Sequence, residues 1–353
     1  MRIVWCLWCH AHNRGAYREA LELAQRFSDL AAFSPDPVDA LTGVRMRGFV
    51  LHFIGDQAGA RRDIEYMISH YVAPVHRTHI VRFQFDQLVT ARNKLVHILW
   101  LQGFVDQARA LNEKNVADAI ALDHTMTLCN SLTKGACPFT LMSGDLAAAG
   151  RFIELYLDRS ARNGLTIWHA WATCFKGIHL IKTGAVEDGL AMIKQTLARI
   201  SKNRFSLRYT WVIGEQADGL RKAGRISEGL ELIDEALSLS DQDEERWCVC
   251  ELLRVKAELL IAQGGAKAMQ AAEQCLLQSL DWAQKQQGLS WQLRSTLSLY
   301  RLHACQARPD GTRTILRSVY DRFGEGFSTP DLLEASRILD MAYHIIERTG
   351  CID

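Results

Sequence analysis

The sequence predicts an all-α protein, a tetratricopeptide-like α-solenoid of about seven to eight helical hairpins ending in a C-terminal capping helix. Three observations predict it. Glycines recur at one spacing, a small residue follows each at a fixed distance, and apolar patterns of helical period flank every glycine.

The glycines are Gly15, Gly55, Gly103, Gly144, Gly184, Gly224 and the pair Gly264–Gly265, with successive separations of 40, 48, 41, 40, 40 and 40 residues. The stretches that follow them read GAYREALELA, GDQAGARRDI, GFVDQARALN, GDLAAAGRFI, GAVEDGLAMI and GRISEGLELI. Five residues past the glycine stand Ala20, Ala60, Ala108, Ala149, Gly189 and Gly229, each small enough to let a neighbouring helix approach. Nine residues past it, Ile64, Ile153, Ile193 and Ile233 mark the inner face of the second helix. Before the glycines lie helix-length apolar patterns such as DALTGVRMRGFVLHFI, DQLVTARNKLVHILWLQ, IWHAWATCFKGIHLIKT and ERWCVCELLRVKAELLIAQ. No alternating strand pattern appears. The unit is therefore helix, tight turn, helix, and such hairpins bury their faces by stacking. The period of about 40 exceeds the 34 of standard tetratricopeptide repeats and suits HEAT repeats better, but the glycine-to-small-residue helix entry is tetratricopeptide-like.

The last element begins at STPDLL, with Thr329 as N-cap, Pro330 at the first helical position and Asp331 near the positive end of the dipole. Leu332, Leu333, Ala335, Ile338, Leu339, Ala342, Ile345 and Ile346 recur on one broad face, with Glu334, Arg337, Glu347 and Arg348 mostly off it. Residues 1–327 are thus expected to form the repeat array and residues 328–353 its cap. In CNSLTKGACPFTLMSGD, Gly135 and Pro138 fall inside a helical pattern, so a kink is expected there.

Composition narrows the function. The 353 residues are 48% apolar and 23% charged, with formal net charge +1, which argues against general nucleic-acid binding. No apolar run is long enough to span a membrane, and the start carries no secretory signal pattern. The ten cysteines are read as reduced thiols of a cytoplasmic protein. Cys6, Cys9 and His10 match a haem-attachment pattern and with His12 offer four possible zinc ligands, but these crowd one helix too closely to close a tetrahedron, so packed thiols are expected. Cys248 and Cys250 point in different directions on a helix and are expected to be buried thiols. No phosphate loop GxxxxGK[ST], HExxH pair, catalytic triad or paired-carboxylate pattern stands out. No enzymatic activity, cofactor or metal is expected.

Binding residues are sought on the first helix of each hairpin, which lines the concave face in tetratricopeptide arrays. Arg82, Gln84, Asp86, Arg92 and Asn93 give a polar run that could read a peptide or an anion, or join a network with the adjacent helix. Trp168–His169 and Arg246–Trp247 pair an indole with a polar neighbour, against the simpler reading that indoles such as Trp171, Trp211 and Trp291 fill gaps between helices.

The segments YDRFGEGFSTPDLLEASRILD, DEERWCVCELLRVKAELL and RMRGFVLHFIGDQAGARRDIE resemble the C-terminal repeat region of large bacterial signalling proteins. These combine a winged-helix DNA-binding or class III nucleotide cyclase domain with a central ATPase module. The resemblance covers nearly the whole chain and implies a regulatory module in signal transduction or transcriptional regulation. It would bind a protein or peptide in its groove, or hold an ATPase, winged-helix or cyclase domain inactive. It also implies a fragment, a split gene product or a stand-alone relative, since no phosphate loop or cyclase strand context is present. A stand-alone small-molecule receptor is the remaining alternative.

Overall fold

The computed structural model describes residues 1–72, 78–202 and 209–349, and all the regular elements among them are helical. The helices pair as the glycines predict. They are α1 (Arg2–Asn13) with α2 (Tyr17–Ala31), α3 (Pro37–Phe53) with α4 (Gln57–His70), then a short α5 (Thr78–Phe83). Next come α6 (Gln87–Leu101) with α7 (Val105–Ala121), and α8 (Thr125–Ser131) running through a π-helical segment Leu132–Ala136 into α9 (Cys137–Ser143), paired with α10 (Leu146–Arg162). The second half holds α11 (Thr166–Thr183) with α12 (Val186–Lys202), α13 (Tyr209–Lys222) with α14 (Ile226–Gln242), and α15 (Val249–Gln263) with α16 (Ala266–Lys285). The array ends with α17 (Leu289–Cys305), α18 (Asp310–Tyr320) and α19 (Pro330–Thr349).

The turn glycines carry the backbone that the repeat needs. Gly15, Gly55, Gly103, Gly144, Gly184, Gly224, Gly264 and Gly265 all have φ between 75° and 104°, a region that costs other residues a steric clash at Cβ. The α17–α18 turn follows the same course without glycine, using Ala307 at φ 56°. Several helices start on aspartate: Asp56, Asp86 and Asp145 accept from the N–H of Gly59, Val89 and Ala148 at 2.8–3.0 Å.

The small positions are where helices cross. A Cβ on Gly189 would lie 2.5 Å from the Gly177 carbonyl oxygen, so α11 and α12 touch backbone to backbone. Ala20, Ala60, Ala108 and Ala149 are wholly buried, as are Ile64, Ile153, Ile193 and Ile233 one turn further on. Burying each isoleucine contributes about 1.5–3 kcal/mol. Cys248 and Cys250 are buried thiols.

The array does not run away as an open spiral. Its second half returns over its first, on the ridge formed by the early glycine turns. The Arg246 and Trp247 N–H groups both donate to the Phe53 carbonyl, at 2.7 and 3.2 Å. Ser290 Oγ donates to the Trp100 carbonyl at 2.5 Å, and the Trp100 and Trp291 rings meet edge to face at 4.7 Å. Arg294 reaches the Met142 carbonyl and donates to Asp331 at 2.7 Å, its guanidinium 5.3 and 5.4 Å from the Trp100 and Trp291 rings. The Gly326 N–H donates to Asp106 at 2.9 Å, and Gln107 bonds Glu325 at 3.0 Å. One apolar core consequently runs from Val4 to Trp291.

At the C-terminal end, Leu332, Ala335 and Leu339 pack with Leu289, Leu293, Leu297, Leu316, Val319 and Phe323. Leu333, expected on that face, is exposed. The Thr329 hydroxyl donates to the Gly326 carbonyl at 2.8 Å, so its described bond is with the preceding turn rather than the helix start. Ala342, Ile345, Ile346, Glu347 and Arg348 lie outside the described side chains.

Candidate functional site

A cavity of about 190 Å³ is built from four separate parts of the chain. From α1 come Trp8, Cys9, His12 and Asn13, and from the connection between α5 and α6 come Gln84 and Phe85. Met126 of α8 and Thr133 and Lys134 of the π-helical segment form a third wall, and Ile167, Trp168 and Trp171 of α11 the fourth.

Local chemistry sets each part. Trp8 and His12 are four apart on a helix, so their rings stack on one face, 4.8 Å between centroids and 22° between planes. Gln84 takes a left-handed backbone at φ 62°, which turns Phe85 towards Trp168, 5.9 Å away. Asp86 anchors that turn: its carboxylate caps α6 and its N–H donates to Thr127 Oγ1 at 3.0 Å. The expected kink at Gly135 and Pro138 takes the form of the π-helical segment, whose wider turn carries Thr133 and Lys134. Gly135 packs on Asn93, where a Cβ would meet Oδ1 at 2.6 Å.

Charge around the cavity is one-sided. Arg45 is 3% exposed, its Nε donates to Gln87 at 3.0 Å, and the guanidinium lies 5.5 and 5.1 Å from the Trp8 and Phe49 rings. Burial pushes Arg45 down to about 10. Lys94, also buried, has Nζ 4.2 Å from the Phe53 ring centroid, and Lys134 Nζ is 5.9 Å from that of Phe85. Burial holds His12 well below the usual imidazole range, and Lys134, Lys94 and Arg45 push it the same way, so His12 is neutral. Burial raises the Cys9 thiol to about 12, partly opposed by Lys134 and Arg45. Among the described residues, two buried polar atoms on the wall, Trp8 Nε1 and His12 Nε2, have no hydrogen-bond partner.

The residues singled out in the sequence divide among several roles. Gln84 and Trp168 meet at the cavity, and Asp86 supports it. Arg82 ion-pairs with Asp36 and Asp39 at 3.0 and 2.6 Å, and Arg92 with Asp118 at 2.6 Å, so both tie neighbouring helices together. His169 turns away from Trp168 into a separate hollow, with Nδ1 3.1 Å from Ser160 Oγ. Trp247 departs furthest from expectation. It is wholly buried between the two halves, stacked 5.5 Å from His52, with Nε1 donating to Glu245 at 2.7 Å. Arg246 beside it bonds Asp241 at 2.9 Å. Neither is a groove contact.

The sequence reading missed Trp8, His12, Phe85 and Lys134 as a set. The i, i+4 pairing of an indole and an imidazole on α1 was a usable signal, obscured by the metal-like pattern of Cys6, Cys9 and His10. In the structure Cys6 is exposed and Cys9 half-buried. Among the described residues no three His, Cys, Asp or Glu side chains converge as metal ligands would, and no helix is long and apolar enough to cross a membrane.

No family model matches the sequence, and no curated protein matches it. Similar solved structures include a Rap protein complexed with competence and sporulation factor, with TM-score 0.57 and 9% identity over 98% of each chain. Another is yeast Tom70, with TM-score 0.45 and 13% identity over 94% of this chain. The present chain spans 61% of the Tom70 chain. At such identities the likeness concerns the fold, and by fold this chain is a tetratricopeptide-like α-solenoid.

Proposed function

We propose that the chain is a non-catalytic binding and regulatory module that takes an extended peptide, or a loop of a partner protein, along its inner face. The observation that carries this reading is the cavity between α1, the π-helical segment and α11. Its walls come from residues about 160 positions apart in sequence, from Trp8 to Trp171, and combine indole faces with buried polar atoms. Aromatic faces with a few fixed polar groups are what ligand sites in concave surfaces share. The Rap neighbour, alike in fold over its whole length, is itself described as a complex with competence and sporulation factor.

The setting we assign is a cytoplasmic signalling or transcriptional-control chain, with an ATPase, winged-helix or cyclase domain as regulated partner. The resemblance of Tyr320–Asp340 and its companion segments supports this. We assign residues 328–353 the role of cap, supported by the packing of Leu332, Ala335 and Leu339 over α17 and α18. A second reading, a small-molecule receptor, is favoured by the modest size of the cavity, about 190 Å³.

A selection of random peptides displayed against the whole chain tests the reading. Selected binders are expected to lose at least tenfold in affinity on Trp168→Ala and to be unaffected by Arg162→Ala on the outer helix α10. Binders insensitive to Trp168→Ala would refute the inner-face site.

A further inference from the structure

We propose that a second groove, where the two halves of the array meet, is a docking site for an acidic peptide segment of a partner protein, with aspartates or glutamates set around an apolar residue. It uses other residues than the cavity of Trp8 and Trp168 and does not rest on the inner-face reading.

The groove has a volume of about 800 Å³ and takes its walls from both halves. One wall is α4, where Arg61 and Glu65, and Arg62 and Tyr66, are i,i+4 neighbours along one side of the helix. The other is Leu289 at the start of α17 with Arg322 just past α18, and Phe104 of the α6–α7 turn joins the two. Arg61 fixes the first wall: it pairs with Glu65 at 2.7 Å, donates to Gln102 at 2.9 Å and lies 4.7 Å from the Phe104 ring. Leu289 fixes the second, with Cδ2 2.7 Å from where a Cβ on Gly103 would stand. The groove is therefore complete only where the second half sits on the first.

Charge selects the ligand. The lining holds three arginines and one glutamate, and Glu65 is taken by Arg61. Arg62, 73% exposed, has one ion pair among the described residues, 3.7 Å to Asp63. That carboxylate accepts from Arg47 Nε and Nη2 at 2.7 and 2.9 Å, so its closer bonds go elsewhere. Arg322 is also exposed, and its Nη1 donates to the neutral Gln292 amide oxygen at 2.6 Å. Each guanidinium carries five donors in a fork that fits a carboxylate, and the two forks stand on opposite walls. Carboxylates spaced along one chain can engage both. The positive excess is local, since the whole chain carries a formal charge of only +1, which favours an acidic peptide over a nucleic acid that follows an extended basic stripe.

Exposed ion pairs are individually weak, so charge alone does not make a site. The apolar surface between the arginines supplies the rest. Tyr66 is 50% exposed, and Phe104 and Leu289 line the groove with it. An apolar side chain set between acidic ones would cover these three while its neighbours reach Arg62 and Arg322. Aromatic and arginine side chains together are the composition that protein-binding surfaces favour. The volume, roughly four times that of the Trp8–Trp168 cavity, suits several residues of an extended chain.

The test uses the whole chain and three peptides read by calorimetry. The first is acetyl-Glu-Asp-Phe-Glu-Asp-Leu-Glu-amide. The second has every acid replaced by its amide, and the third has serine in place of phenylalanine and leucine. The first is expected to bind at least tenfold more tightly than either of the others. It is also expected to raise the melting temperature, because its site spans both halves. The double variant Arg62→Gln with Arg322→Gln is expected to weaken it at least tenfold with unchanged circular dichroism. Arg159→Gln with Arg162→Gln, exposed on α10, removes the same charge elsewhere and is expected to change binding less than twofold. No binding of the first peptide at millimolar concentration, equal binding of the first two, or equal loss in both double variants would overturn the proposal. So would a loss on Trp168→Ala with none in the Arg62 and Arg322 variant, which would move the peptide to the inner-face cavity. A twelve-nucleotide oligothymidylate bound more tightly than the first peptide through the same two arginines would replace the acidic peptide by single-stranded nucleic acid. Failure of this site leaves the inner-face reading untouched, since that reading is tested at Trp168.

Discussion

The early and late glycine turns share a backbone and differ in everything around it. Gly15, Gly55, Gly103 and Gly144 are covered: a Cβ there would meet Asp243, Gln286 and Arg246, Leu289 and Phe323, and Pro330, at 2.7–3.3 Å. A Cβ at Gly184, Gly224, Gly264 or Gly265 would meet nothing within 4 Å among the described residues beyond its chain neighbours. One local solution to a tight turn therefore serves two purposes. In the second half it only reverses the chain, and in the first half it also forms a side-chain-free ridge on which the second half sits. The candidate site draws mainly on the covered half, where α1, the connection before α6 and the π-helical segment are fixed by their neighbouring helices. Preorganisation of that kind lowers the cost of ordering a site when a ligand binds.

The largest effect is expected from removing part of the cover. Deleting Ser328–Asp353 takes Pro330 from Gly144 and Asp331 from Arg294, and bares the face of Leu289, Leu293 and Leu316. A fall in melting temperature on the order of 10 °C, or aggregation, is expected from the lost apolar burial. A monomeric truncation with an unchanged melting curve would recast α19 as a docking element.

The next effect separates the two kinds of turn directly. Gly224→Ala is expected to cost roughly 1–2 kcal/mol, the penalty of a left-handed backbone alone. At Gly103 the added methyl would lie 2.7 Å from Leu289 Cδ2, so Gly103→Ala combines that strain with overpacking, roughly 2–5 kcal/mol in all. Chemical denaturation measures both, and equal costs would mean that the cover over Gly103 is loose.

A smaller, pH-dependent effect belongs to the open half, which relies on its own ion network. Burial pushes the Asp218 carboxyl up, but Lys222, Arg221, Arg254 and Lys182 outweigh it and hold the group well below the usual range. Burial opposes ionisation of Glu251 too, and Arg254 and Arg294 again prevail. Folded values below unfolded ones mean that the ionised carboxylates favour the folded state. Their contribution is complete above about pH 4.5, the range of free carboxylates, and is lost as pH falls through the folded values. Asp218→Asn is expected to flatten the acid limb of the stability profile, and an unaltered limb would remove Asp218 from the network.

Much of the fold was legible because it is local and repeated. The turn glycines, the small crossing residues and the apolar isoleucines each recur at a fixed place. The α17–α18 turn escaped notice because Ala307 holds the left-handed position where glycine would have marked it. The return of the chain over itself was not legible at all. Phe53 with Trp247, Trp100 with Trp291 and Asp106 with Gly326 are separated by some 190–220 residues, and no periodicity carries such pairings. That is why Arg246 and Trp247 read as groove residues while lying between the halves. The site was half-legible: Gln84 and Trp168 stood out by polarity and aromaticity, whereas Lys134 lay in a stretch notable only for its kink.

Native-state hydrogen exchange tests the covered ridge most directly. The Arg246 and Trp247 amides donate to Phe53 and the Gly326 amide to Asp106, across the junction between the halves. If the second half closes over the first, these amides exchange as slowly as those inside α6 and α15, although they lie outside any helix. Exchange as fast as that of the exposed Gly184 and Gly265 turns would contradict the account.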